Sequence, residues 1–350
     1  MGGLKHEMER AALRSAPGTS YRTISDDDTK TAYKRHIGEF CSWLKAETGI
    51  SRIEKIADRR QVIQDYSDHL QAKGLSSSTI HTYLAPVCKG LGVSMSRIDK
   101  PRRAAGDITR SRDPLVNAQG KSEAMQPRFE RLVALQSALG VRRSELKALT
   151  VDTLRKDESG KVCVLIRNGK GGKDQLQRIL PQDISSVTQI YEKAKASCLA
   201  DGGDPRTYKV LSGSEMKNKI DLHGMRAAHG RACYKEYLSQ CQAPESRAKL
   251  IYELVARWNA EHPHAAAGER HHIDTDPSGG YTAKSKAARE FLANISGTKG
   301  DGVYRIRGDN VARALSSGLP SVYDRTAIMA VSVFHLSHWR PDVTVTNYML

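Results

Sequence analysis

The sequence predicts a mainly α-helical protein with one small β-hairpin, an α+β chain in two domains. Three observations carry that prediction. Apolar residues recur at helical spacing through most of the chain, a single stretch reads as two short strands around a glycine-rich turn, and an aperiodic Arg/Gly/Pro/Asp segment divides the whole.

Residues 1–25 are polar and basic and are expected to be loosely held. The first domain, 26–99, begins with Tyr33, Ile37, Phe40 and Leu44, spaced four, three and four apart and so on one helix face. A second helix is expected over 59–73, ending at Gly74. The SSST run at 76–79 can cap a third, STIHTYLAPVCKGL. Residues 100–122 lack periodicity and read as a linker. The larger domain, 123–350, opens with PRFERLVALQSALG, a helix stopped by Gly140, and a further helix starts near Ser144. VCVLI at 162–166 and QLQRILP at 175–181 flank NGKGGKD and read as a hairpin. Helices are expected at 183–200, 223–239, 246–260, 282–294 and 324–337, with loops at 201–220 and 261–281. No internal repeat is present.

Composition narrows the function. The 350 residues carry 55 Lys and Arg against 39 Asp and Glu, a formal net charge of +16, which favours encounter with polyanions, nucleic acid above all. The longest apolar runs, such as AIMAVSVF, fall short of a membrane span. The N-terminus has no signal-peptide pattern, so a cytoplasmic location is expected. The six cysteines are scattered without a C-x-x-C pair, which speaks against a zinc site or a disulfide framework and for reduced packing residues. His262, His264, His271 and His272 crowd one loop-like stretch, but no helical i, i+4 pair occurs there. They read as solvated loop residues.

Four separated pieces bear chemistry. GVRRSEL (140–146) places Arg142 at a helix junction with Glu145 near enough to orient its guanidinium. NGKGGKD (168–174) sets Lys170 at a hairpin tip. LHGMR (222–226) puts His223 and Arg226 three apart on one helix face. HWRPDVTVTNYML (338–350) contains His338 and Tyr348. Taken singly, each has an ordinary reading: a surface ion pair, a common turn, a terminal tyrosine.

In this order, Arg142, Lys170, His223, Arg226, His338 and Tyr348, they resemble the catalytic set of the tyrosine recombinase (phage-type integrase) family. The contexts G-x-R-x-S-E-L, G-K-G-x-K and H-x-x-R match as well, and GLSSSTIHTYLAPV (74–87) is similar to the family's helical core-binding domain. The resemblance implies a SAM-like N-terminal domain and a catalytic domain that close on DNA as a C-shaped clamp. It implies that Tyr348 attacks a phosphodiester to give a 3′-phosphotyrosine, with Arg142, Arg226 and His338 on the phosphate. Lys170 would be the acid for the leaving oxygen, and His223 a proton acceptor or phosphate ligand. Ester exchange conserves bond energy, so no cofactor, ATP or metal is expected. The implied partners are double-stranded DNA at specific recombination sites, a homotetramer on two duplexes, and accessory DNA-bending or directionality factors, in a bacterial nucleoid-associated setting. The activity expected is integration and excision of a mobile element. A type IB topoisomerase-like or telomere-resolving enzyme, or a catalytically silent DNA-binding regulator, is the alternative.

The sequence departs from the family in four places. Leu336-Ser337-His338 stands where Leu-Gly-His is usual. His338 and Tyr348 are ten positions apart, one more than in Xer-type members. Only Met349 and Leu350 follow the tyrosine, so the usual tail that docks in a neighbouring subunit is expected to be missing and the tyrosine easy to move. Arg226 and His338 are 112 positions apart, a gap resembling that of integrases from integrative mobile elements, with YRIRGDN (304–310) and YDRTAIMAVSVFHLSH (323–338) like that subset. The insertion at about 240–320 is expected to replace the tail by touching a neighbour or the DNA.

Overall fold

The computed structural model describes residues 3–14, 24, 27–103, 118–169, 173–262, 271–276 and 279–350. The chain divides into two compact units, Met1–Ile108 and Thr109–Leu350.

The first unit is all helical: α1 Leu4–Leu13, α2 Asp27–Thr48, α3 Arg59–Ala72 and α4 Ser77–Leu91. Ile37, Phe40 and Leu44 on α2 are fully buried against Ile63, Tyr66 and Leu70 of α3 and Ile80, Leu84 and Val87 of α4. Side-chain caps begin the last two helices: Asp58 accepts from the Gln61 N–H at 2.9 Å, and Ser76 from the Thr79 N–H at 3.3 Å. The expectation of a loose N-terminus fails at α1. Leu4, Met8 and Ala12 recur every four residues, and this stripe seals the unit's core beneath a charged outer face. Gly90 on α4 makes the approach possible, because a Cβ there would sit 3.2 Å from the Met8 carbonyl oxygen. The stretch 104–117, most of the expected linker, lies outside the described residues.

The second unit starts with α5 Ala118–Ala124, α6 Glu130–Leu139 and α7 Arg143–Ala148. Strands β1 Leu154–Lys156, β2 Val162–Ile166 and β3 Gln175–Arg178 form an antiparallel meander, with Leu154 opposite Val164 and Cys163 opposite Arg178. The expected hairpin is therefore β2–β3, and β1 extends it. Next come α8 Ile184–Ala200, the short α9 Gly213–Met216 within the expected 201–220 loop, α10 Leu222–Gln240 and α11 Pro244–Glu261.

A second hairpin, β4 Ile273–Thr275 with β5 Tyr281–Ala283, occupies part of the expected 261–281 loop and displaces the start of α12 to Lys286–Ile295. Strands β6 Val303–Arg305 and β7 Val322–Asp324 pair antiparallel around α13 Asp309–Ser316. Helix α14 Arg325–Phe334, the short α15 Pro341–Thr344 and a π-helical turn, Val345–Met349, complete the unit.

Two apolar cores lie on either side of α10. Leu222 and Met225 enter the first, with α6, α8 and the meander; Ala227, Cys233, Tyr234 and Tyr237 enter the second, with α11, α12 and α14. The stretch 240–320, read from the sequence as an insertion, builds that second core: Leu250, Leu254, Trp258, Phe291 and Ile306 pack in one cluster with α14, Tyr348, Met349 and Leu350. His262 and His271, both half-buried, lie against its edge and its flanking residues. His262 stacks on Trp258 with ring centres 4.1 Å apart, and His271 Nδ1 lies 2.9 Å from Ser285 Oγ, so neither is the solvated loop residue expected. His264 lies outside the described residues.

A buried ion network ties the meander to the insertion. Asp157 Oδ2 accepts from Arg178 Nε at 2.6 Å and from Arg257 Nη2 at 3.1 Å, while Glu253 accepts from Arg178 Nη1 at 2.5 Å. Arg257 Nη1 donates to the Leu176 carbonyl at 2.7 Å, and the Arg178 guanidinium lies 3.5 Å from the centre of the Phe334 ring. Removing one partner strands a buried charge. Asp157→Ala is expected to cost about 3–5 kcal/mol, read as a fall in the urea midpoint; a loss under 1 kcal/mol would contradict a buried network.

Candidate active site

Arg142 is the residue before α7, in extended conformation, where the chain has left the Gly140 turn. The Glu145 carboxylate accepts from its backbone N–H at 2.8 Å and from its guanidinium at 2.5 Å. Glu145 is 5% exposed, so one buried carboxylate both caps the helix and aims the arginine.

Arg226 is 1% exposed. Its Nη1 donates to the Gly140 carbonyl, and its Nη2 to the Leu336 carbonyl at 2.9 Å. Both carbonyls are available because a left-handed residue turns the chain there. Gly140 has φ 57°, and Ser337, just after Leu336, has φ 54°. Gly140 cannot carry a side chain, since a Cβ would lie 2.5 Å from the His229 ring. Burial lowers the Arg226 pKa, opposed by Tyr348, including through a hydrogen bond, and reinforced by the charge of Arg142. The guanidinium stays cationic.

Tyr348 meets this group from the π-helical turn. Its ring centre lies 5.1 Å from Arg226 Cζ, 5.8 Å from the His223 ring and 6.3 Å from the His338 ring, which it stacks on at 24°. The tyrosine is 6% exposed, and Met349 and Leu350 are buried behind it. Arg231 donates to the Tyr348 carbonyl at 3.4 Å, and Arg313 of α13 to the Leu350 carbonyl at 3.1 Å. The expectation of an easily moved tyrosine is thereby corrected: its segment is packed into the second core and tied to α10 and to the insertion.

His338 follows the Ser337 turn, its backbone N–H donating to the Ser332 carbonyl at 3.0 Å. Its ring nitrogens are buried without a hydrogen-bond partner among the described residues, as is Arg226 Nε. Burial, then the charges of Arg226 and Arg142, push its pKa down to about 4, so the ring is neutral at pH 7 and keeps one N–H to donate. Arg142, Arg143, His223 and Arg226 line a cleft of about 320 Å³ together with Asp221.

Five of the six residues singled out in the sequence thus fall in one region of the second unit. Lys170 lies outside the described residues, so the hairpin turn 170–172 is not placed. Sequence reasoning missed Arg231 and Arg313, which bear on the tyrosine's segment through backbone carbonyls, a role that no residue pattern signals.

Ser337 sits where an L side chain costs about 1 kcal/mol or more. Ser337→Gly is expected to raise the urea midpoint by an equivalent of about 1 kcal/mol. The unfolded chain protonates a histidine near pH 6.5, but folded His338 resists until about 4. The unfolded state therefore holds more protons in that interval, and stability falls as pH drops through it and is flat above 7. His338→Gln is expected to shrink that loss by about 1–3 kcal/mol, measured as urea midpoints at pH 7 and 4.

No known family model matches the chain, and no curated protein matches it. Among solved structures, the crystal structure of XerA recombinase is similar over 65% of this chain and 84% of that one, at 16% identity and a TM-score of 0.23. At that score the likeness carries no argument about chemistry.

Proposed function

We propose that this protein cleaves and rejoins DNA through a covalent tyrosyl phosphate, as a site-specific recombinase that integrates or excises a mobile element. The observation that carries the reading is the convergence on Tyr348 of Arg226, His223 and His338, beside the Arg142-lined cleft. A tyrosine enclosed by guanidinium and imidazole groups suits attack on an anionic ester. Negative charge grows on the non-bridging oxygens as the phosphorus becomes pentacoordinate, and planar guanidiniums with fixed donors are suited to hold it. The buried donors of His338 and Arg226 Nε would find acceptors in those oxygens.

In the proposed step the Tyr348 oxygen bonds to phosphorus and the bond to the 5′ oxygen breaks. The tyrosine's proton passes to His223, and the leaving 5′ oxygen takes one from Lys170. A 5′ hydroxyl of a second strand then reverses the sequence, so the number of phosphodiesters is conserved. Arg142 and Arg226 are held by a carboxylate and by two carbonyls before substrate arrives, so little reorganisation is left for the reaction itself. Double-stranded DNA is the proposed partner, consistent with the +16 charge. Exchange between two duplexes requires four such tyrosines, hence a tetramer on DNA.

A nicked suicide duplex carrying the element's own end sequence tests this. Wild type is expected to form a covalent protein–DNA adduct and Tyr348→Phe none. Arg142→Lys, which keeps the charge but loses the fork, is expected to slow adduct formation by about 10²–10³. An adduct accompanied by plasmid relaxation without strand exchange would point to a topoisomerase; binding without any adduct would leave a regulator.

A further inference from the structure

Behind the site, where α10 crosses the end of α14, lies a cluster with no part in that chemistry. His229 and Cys233 are four apart on one face of α10, and His335 follows the last residue of α14. All three are buried. His229 Nε2 lies 3.2 Å from His335 Nδ1 and 3.3 Å from Cys233 Sγ, and the three donor atoms fall within 4.8 Å of one another.

The tautomers are constrained from outside. His229 Nδ1 is 2.9 Å from the Ser137 carbonyl oxygen, which can only accept, so Nδ1 carries the proton and Nε2 presents a lone pair to the cluster. Two groups, His335 Nδ1 and the Cys233 thiol, converge on that single lone pair. Zinc bonds of about 2.0–2.1 Å to nitrogen and 2.3 Å to sulfur set tetrahedral donors roughly 3.3–3.6 Å apart. The two short separations here come close to that spacing.

We propose that His229, Cys233 and His335 bind one zinc-class divalent ion, pinning α10 to the end of α14. Binding would displace the Cys233 thiol proton to solvent and leave a thiolate ligand. The His335 proton would reside on Nε2, facing the Tyr237 hydroxyl oxygen at 3.0 Å, while the Ser137 carbonyl holds His229. Each ligating ring would then have the outer partner that such histidines usually possess. The pin would brace the Leu336 carbonyl that holds Arg226, one residue beyond His335. This proposal does not depend on DNA cleavage.

Cobalt(II) titration of the purified full chain tests it. One equivalent is expected to give tetrahedral d–d bands with thiolate-to-cobalt charge transfer, displaced by zinc, and zinc is expected to raise the melting temperature. Cys233→Ala is expected to abolish the charge-transfer band and weaken zinc binding at least tenfold, and His335→Gln to weaken it similarly. Wild type without a charge-transfer band would overturn the proposal even if a variant fails to fold. So would a band that survives Cys233→Ala, which would assign it to another thiol. Cobalt bound without thiolate would assign the metal to histidines such as those around 262–272, and would also overturn it.

Discussion

A guanidinium with almost no exposure is the constraint on which the second unit depends. Arg226 finds acceptors for its two terminal nitrogens inside the protein, among them two backbone carbonyls from opposite ends of the unit's sequence, Gly140 and Leu336. Each comes from a left-handed turn at a helix end, where carbonyls have no intrahelical partner. Satisfying one buried cation thus fixes α6, α10 and the end of α14 together. The same two turns lead directly to Arg142 and to His338. The price of burying Arg226 is recovered as alignment of its neighbours.

The second consequence concerns α10. It carries Arg226 and His223 and is enclosed between two cores, so it has no uniformly polar face, and its small residues matter. At Gly230 a Cβ would lie 3.3 Å from Met349 Cε and 3.6 Å from Tyr348 Cβ, a close fit against the tyrosine's segment. The insertion completes this enclosure. Its helices supply the core beneath α14, and Arg313 reaches the Leu350 carbonyl. Whatever the insertion contributes outside the chain, inside it is structural support for the tyrosine.

Much of this could be read from the residues. The spacing of Ile37, Phe40 and Leu44, the stop at Gly140 and the strand pair around 168–174 describe elements whose local pattern agrees with their tertiary role. Arg142, His223, Arg226, His338 and Tyr348 were singled out by their order and local context, and all five fall in one region of the second unit. Strands of three residues, β1 and β4 to β7, were not legible, because so short a run shows no period of two. Helix α1 was overlooked because charge dominates its composition, although Leu4, Met8 and Ala12 keep helical spacing. His229 and Cys233 share an i, i+4 face, but only the fold brings His335 to them. The carbonyl ligands of Arg226 were invisible for a simpler reason: backbone groups leave no trace in residue identity.

The ten positions from His338 to Tyr348 are spanned by α15 and the π-helical turn. On an α-helix one added residue rotates everything after it by about 100° and would swing the tyrosine off its face. A π turn is wider and accommodates one more residue per revolution. Val345–Met349 takes that form, and Tyr348 still faces Arg226, His223 and His338. Helical winding, and not the count of residues alone, thus sets the face on which the tyrosine ring lies.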